Sequence, residues 1–356
     1  MKKSVLVSVV GCLFAMICSN AQAQAGKSAD STVHYAEEKH FNNVRQLTFG
    51  GDNAEAYFSF DGKRVSFQST DPKKGVPCDQ IFVADIDRFN PSMVSTGQGR
   101  TTCSYFLPGD SLVLYASTHE GDTACPPKPA PRADKKYVWA LYKDFDIYVA
   151  GLDGKIRTKL TDSPGYDAEA TLSPRGDKIV FTSVRSGDLE LYIMNTDGSG
   201  LVQVTNELGY DGGAFFSPDG TKLVFRASRP KTSEEISGYK ELLQEGLVTP
   251  TNMEIYTCNV DGTDLKQITK LGGANWAPYF TPDGKKIIFS SNHQTKGYKF
   301  NLWMIGADGN DLEQVSYDKV FDAFPVFSRD GRTLVFSSNR NNNGTRDTNL
   351  FIADWK

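Results

Sequence analysis

A short pattern recurs six times along this chain: a tight Asp-Gly-type turn followed by an apolar strand centred on one aromatic ring. The rings are Phe67, Tyr115, Phe181, Phe225, Phe289 and Phe336. Ahead of them stand the turns FDGK at 60–63, PGDS at 108–111, PRGD at 174–177, PDGT at 218–221, PDGK at 282–285 and RDGR at 329–332. Most copies continue into a second strand that ends in another tight turn, as in LYIMNTDGSG, IYTCNVDGTD and LWMIGADGND. A Gln-apolar-Thr strand then leads onward, as RQLT at 45–48, VQVT at 202–205 and KQIT at 266–269. Each unit therefore holds four short strands joined by hairpin turns. The shortest spacing between rings is 44 residues, from Phe181 to Phe225. Four strands in units of about 40–45 residues is the period of propeller blades.

Six rings imply an all-β, six-bladed β-propeller. The last residues, LFIADWK, supply the third strand of blade six, and no fourth strand follows them. The spare RQLT strand ahead of blade one fits that place. Residues around 43–49 are expected to complete the last blade, closing the ring by an N-terminal strand and leaving no open sheet edge.

The opening MKKSVLVSVVGCLFAMICSNAQA has a basic start, a short apolar run and a small-residue end. This is the layout of a secretory signal peptide cut near Ala23, and it implies a periplasmic or secreted protein. Ile17 stands where a lipoprotein signal ahead of Cys18 would need a small residue. The apolar run is too short for a comfortable membrane span, and no other segment approaches one. Residues 24–42 then read as a linker and 43–356 as the propeller. Cleavage would remove Lys2 and Lys3 and no acid, taking the net charge from −4 to −6. An acidic chain without a basic run is a poor partner for nucleic acid or anionic membrane. A monomer without cofactor or metal is expected.

The segments FSPDGTKLVF, LSPRGDKIVF, FTPDGKKIIFSSN, LYIMNTDGSG and IYTCNVDGTDLKQIT resemble the propeller repeats of the TolB family, over essentially residues 45–356. That resemblance implies a periplasmic WD40-like propeller without the additional domain that TolB carries ahead of its ring. Related repeats also occur in prolyl-oligopeptidase-like peptidases and some polysaccharide lyases, so the repeat type does not assign a function. The chain contains no G-x-S-x-G nucleophile elbow.

Two columns of residues separate the blades into kinds. The first, at the start of each inner strand, reads Asn53, Thr101, Asp167, Asp211, Asn275 and Asp322. The second, eighteen residues on, reads Asp71, His119, Arg185, Arg229, His293 and Arg340. Wherever the second is Arg the first is Asp, which points to latches within a blade: Asp167 with Arg185, Asp211 with Arg229 and Asp322 with Arg340. His119 and His293 take the Arg slot in blades two and five, which face each other across the ring. Their separation should be on the order of 20 Å, too far to share a metal ion, though each could meet a ligand separately.

Inserts at about 119–144 in blade two and 229–252 in blade four, with a shorter one, DPKKGVPCD, in blade one, should gather around one mouth of the ring. SEEISGYKELLQEGLV within the blade-four insert has the spacing of a short amphipathic helix ending near Gly246. Cys78, Cys103 and Cys125 should cluster at the junction of blades one and two and form one disulfide that ties Cys125 down. Cys258 reads as a buried thiol. Glu55 and Glu169, with Tyr166, Tyr210 and Trp276 nearby in register, are candidates for a polar, aromatic-lined mouth able to bind a cation or sugar hydroxyls. The leading expectation is a non-catalytic propeller that binds a protein, peptide or glycan at its insert-bearing face. The rival is a lyase or hydrolase at the same mouth, with Glu55, Glu169 or a histidine as acid or base.

Overall fold

The computed structural model describes residues 33–356; the proposed signal peptide lies outside the described residues. Six four-stranded antiparallel sheets and one two-stranded sheet make up the β structure. The inner strands Asp52–Phe58, Thr101–Phe106, Asp167–Leu172, Asp211–Phe216, Asn275–Phe280 and Asp322–Phe327 pack side by side around the ring, the last against the first. This is a six-bladed propeller. Blade six takes its outer strand from Phe41–Gln46, which pairs antiparallel with Asn349–Trp355, Phe41 opposite Trp355 and Gln46 opposite Phe351. Closure by an N-terminal strand removes the edge that a three-stranded last blade would expose.

The repeat letters have local reasons. In blades one, three, four, five and six the turn hydroxyl of Ser59, Ser173, Ser217, Thr281 or Ser328 donates to an aspartate of its own turn. It also accepts the backbone N–H that restarts the next strand. The Thr or Ser of the outer strand accepts an N–H from the third strand in all six blades. Thr48 takes that of Leu350, Ser95 that of Ile81, Thr161 that of Ile147, Thr205 that of Leu191, Thr269 that of Ile255 and Ser316 that of Leu302, at 2.8–2.9 Å. Four of these blades add a glutamine whose amide donates to that residue's own carbonyl, which accounts for the Gln-apolar-Thr signal. The anchor rings Phe67, Tyr115, Phe181, Phe225, Phe289 and Phe336 are all buried between blades.

Every inner hairpin slips register at the same place, two residues against one, as in a β-bulge. The residue at the bulge has positive φ in all six blades: Glu55, Cys103, Glu169, Gly213, Ala277 and Phe324. Only one is glycine, so five side chains adopt a conformation that costs roughly 1 kcal/mol each. The gain is direction. All six bulge residues border one small void of about 30 Å³ on the ring axis.

Two positions further along, four of the six inner strands fill the axis with rings, Tyr57, Tyr105, Phe215 and Tyr279, beside Thr171 and Val326. Tyr57 of blade one lies 5.1 Å from Tyr105 and 5.9 Å from Phe215 of blade four, which is diametrically opposite. Phe215 meets Tyr279 at 5.0 Å. Side chains that touch across the axis leave no open passage.

Candidate functional site: the insert-bearing mouth

Above the bulge layer the two long inserts meet. Trp139–Ala140 of the blade-two insert pairs antiparallel with Leu247–Val248 of the blade-four insert. Between them the helix Ser233–Gln244 begins at Thr232, whose hydroxyl accepts from the Glu235 N–H while the Glu235 carboxylate receives the Thr232 N–H. This reciprocal cap, with Gly246 at φ +70° just past the end, sets the limits of the helix. The blade-one segment is less of an insert than its sequence suggests: a single 3-10 turn, Pro72–Lys74, capped by Asp71 and opening a long strand, Val76–Asp85. That strand carries Cys78, which is bonded to Cys125 with 5.9 Å between Cα atoms and so ties the blade-two insert to blade one. Cys103 and Cys258 are free buried thiols.

The inserts roof a cavity of about 590 Å³ at the mouth. A second, larger groove of about 1270 Å³ runs between the proline-rich strap 126–132 and the blade-four helix. At the base of the mouth lie Glu55, Glu169, Tyr166 and Trp276, with Phe324 and Arg226 among them. Glu169 is surrounded by donors: Thr182 at 2.8 Å, Tyr210 at 2.8 Å, the Gly213 N–H at 3.0 Å, and the Arg226 guanidinium. Among the described residues Glu55 accepts only the Cys103 thiol, at 2.9 Å. Burial, opposed by that thiol and by Arg226, pushes the Glu55 carboxyl up to about 7. Trp276 donates to the Pro250 carbonyl at 2.7 Å, stacks with Phe300 at 4.4 Å and meets Trp139 at a tilt, 5.1 Å away. Tyr166 meets Phe145 edge-on.

Apart from Thr101, which borders it, the two columns lie away from this cavity. Arg185 is 2.8 Å from Asp167, Arg229 is 2.6 Å from Asp211 and Arg340 is 2.9 Å from Asp322, each aspartate being at most 1% exposed. Each arginine also covers a third-strand ring: Tyr192, Tyr256 or Phe351. His119 and His293 repeat that posture without the charge. Their Nδ1 atoms pair with Ser117 and Ser291 at 2.9 and 2.8 Å, as Arg185 and Arg340 Nε donate to Ser183 and Ser338. Their rings sit 4.5 Å from Tyr148 and Trp303. Burial pulls both imidazoles below their ordinary pKa, and neither borders the mouth cavity. Where the first column is asparagine, its amide donates to backbone carbonyls, Asn53 to Gly50 and Thr348, Asn275 to Met253, which an aspartate cannot do. Among the described residues no group of His, Cys, Asp and Glu is arranged to hold a metal ion.

Sequence reasoning missed three residues. Glu38, within the stretch read as linker, is fully buried and meets Arg340 at 2.9 Å, beside Asp318 and Asp322. Trp139 covers the mouth. Arg226 occupies a position where the other blades carry Gln68, Ala116, Thr182, Ser290 and Ser337. A signal for it existed: the same blade has Gly213 at the bulge, where a Cβ would collide with Arg226 Nη1.

Residues 125–241 match the family model of the TolB beta propeller domain. A putative TolB from Agrobacterium tumefaciens is similar over 88% of this chain and 97% of its own, with TM-score 0.57 and 18% identity. TolB from Acinetobacter baumannii is similar over 83% of this chain and 64% of its own, with TM-score 0.56 and 18% identity. At that identity the likeness is one of fold. An oligogalacturonate lyase in complex with manganese overlaps less well, with TM-score 0.48 and 14% identity over 88% of this chain and 93% of its own. No curated protein matches the chain by sequence.

Proposed function

We propose, for a six-bladed propeller of the TolB-like repeat family, that this protein is an exported, non-catalytic binding module whose insert-bearing mouth takes a protein, peptide or glycan. The observation that carries the reading is the mouth itself. Two inserts from different blades meet over a cavity of about 590 Å³, and the axis below is filled by rings from opposite blades. A ligand can therefore enter and rest there, and it cannot pass through. Loops held by a disulfide and a cross-insert strand pair present a preformed surface, which lowers the ordering cost of binding.

The rival reading, a lyase or hydrolase, draws its support from Glu55, whose carboxyl is pushed up to about 7. Its other proposed participants are engaged elsewhere, Glu169 by four donors and both histidines in the latch columns. Binding accounts for these residues more simply.

The test compares the wild type with Tyr137→Ala/Lys136→Ala on the roof and Lys285→Ala on the opposite face. Each is immobilised and offered cell-envelope extract, then a glycan array. Retention of a component by the wild type and the opposite-face variant, lost in the roof variant, supports the reading. Equal retention by all three, or none by any, overturns it.

A further inference from the structure

The base of the mouth holds an arginine that the fold uses only in part. Arg226 is 7% exposed. Its Nη2 donates to Glu169 and, at 2.7 Å, to the Tyr210 hydroxyl. The rings of Trp139 and Tyr210 lie 5.4 Å from its guanidinium carbon. Nη1 makes no hydrogen bond to any described residue, and it lies over Gly213, where no side chain intervenes. A buried guanidinium with a spare donor beside a cavity invites an anionic acceptor.

The cavity around it points the same way. Its lining holds five cations, Arg100, Lys128, Arg132, Lys136 and Arg226, against three carboxyl groups, Glu55, Asp79 and Glu169. That positive balance stands out in a chain whose net charge is −4. Arg100 is held by Asp79 and Arg132 by Asp134 and Glu245, whereas Lys128 has no ion pair among the described residues. The lining of the same cavity also carries the rings of Trp276, Phe324 and Phe145. An anion with an apolar group beside its charge uses both the spare donor and those rings. A sugar acid would instead call on the carboxyl and hydroxyl groups of the lining, Glu55, Thr101 and Thr102. A chain-terminal carboxylate next to an apolar side chain makes no such demand.

We propose that the mouth binds the free C-terminal carboxylate of an extended peptide whose last side chain is apolar. Arg226 Nη1 anchors the carboxylate, Trp276 and Phe324 receive the side chain, and Lys128 and Lys136 flank the path by which the peptide leaves. This deepens the reading of the insert-bearing face and rests on it. Glu55 gives the site a pH dependence. The groups facing it are the Cys103 thiol, Glu169, Asp79 and Arg226, and its carboxyl is pushed up to about 7. Below that pH it is neutral and can donate to the ligand; above, it is a second anion that repels the ligand.

The experiment titrates the protein with acetyl-Ala-Ala-Phe bearing a free carboxylate, the same peptide as carboxamide, and a uronate disaccharide, following tryptophan fluorescence at pH 6 and pH 8. The free acid should bind at least about tenfold tighter than the amide, and about tenfold tighter at pH 6 than at pH 8. Glu55→Gln should abolish that pH difference while still binding, and Arg226→Gln should remove the preference for acid over amide. Lys128→Ala/Lys136→Ala, which leaves the pit untouched, should weaken the free acid by a few fold and serves if Arg226→Gln does not fold. Equal affinity for acid and amide overturns the proposal, as does uronate binding in place of the peptide. If the probes fail while the roof variant still loses an envelope component that wild type retains, this inference falls and the binding-face reading stands. If both fail, both fall.

Discussion

Removing Arg229 tests the latch where its partner is most enclosed. Asp211 is fully buried and lies 2.6 Å from Arg229, which is itself 15% exposed and covers the Tyr256 ring at 5.0 Å. With charge centres about 4 Å apart and an effective dielectric near 20, the attraction is roughly 4 kcal/mol. The ring contact adds about 1 kcal/mol. Arg229→Ala leaves Asp211 charged, buried and alone, so a loss of about 3–5 kcal/mol is expected at pH 8. Asp211→Asn/Arg229→Ala removes the stranded charge and should be more stable than Arg229→Ala alone, by roughly 2 kcal/mol. The pH dependence has a definite sign. Burial already pushes the Asp211 carboxyl up to about 6 against the pull of Arg229, and without Arg229 it rises further. A raised acid pKa means that the folded state holds a proton which the unfolded state has released, so the deficit of Arg229→Ala is largest at pH 8 and shrinks toward pH 5. Urea denaturation of the single and double variants, followed by fluorescence, measures both effects. Additive losses within about 0.5 kcal/mol, or a deficit independent of pH, would refute the latch.

Three further outcomes follow from the same geometry. Replacing Cys78 and Cys125 by serine opens a 47-residue separation whose closure is worth at most about 4 kcal/mol. It should also loosen the strap, so that Cys103 reacts with an aromatic disulfide reagent at least tenfold faster while Cys258 stays protected; an unchanged Cys103 rate counts against the strap as cover. Thr269→Val deprives the Ile255 N–H of its acceptor at 2.8 Å. A loss of about 1–3 kcal/mol, seen as a lower urea midpoint at constant slope, is expected, and a neutral result would show that the outer-strand hydroxyl is dispensable. Burial and the neighbouring Asp322 push the Asp318 carboxyl up to about 6, against Arg340. Wild-type stability should therefore fall between about pH 4 and pH 7, and Asp318→Asn should flatten that slope; an identical slope would exclude Asp318 as its source.

What was legible in the residues followed distance along the chain. The turn hydroxyls and the outer-strand Thr or Ser act within a few residues or on a neighbouring strand, so five blades write out the first and all six the second, and the copies can be compared. The helix at 233–244 was legible for the same reason, since its cap lies three residues from its partner. The Asp and Arg columns stood out as a joint change between blades, and the structure sets each pair within hydrogen-bonding distance. Glu38 escaped because its partner Arg340 is 302 residues away and nothing local distinguishes it from a linker acid.

The sequence by itself determined the four strands of each blade, the blade count and the strand that closes the ring, because the repeat spells out each blade and one spare strand matched the place left in the last. What only the tertiary structure decided is what the ring encloses. Bulges with positive φ turn one residue of each blade onto the axis, and rings from opposite blades meet there and fill it. Glu169, Arg226 and Trp139 come from three blades and form one contact only when the ring has closed and the inserts have crossed it. A repeat records what each blade does for itself. The mouth is made by the ways blades depart from the repeat, and those departures acquire partners only in three dimensions.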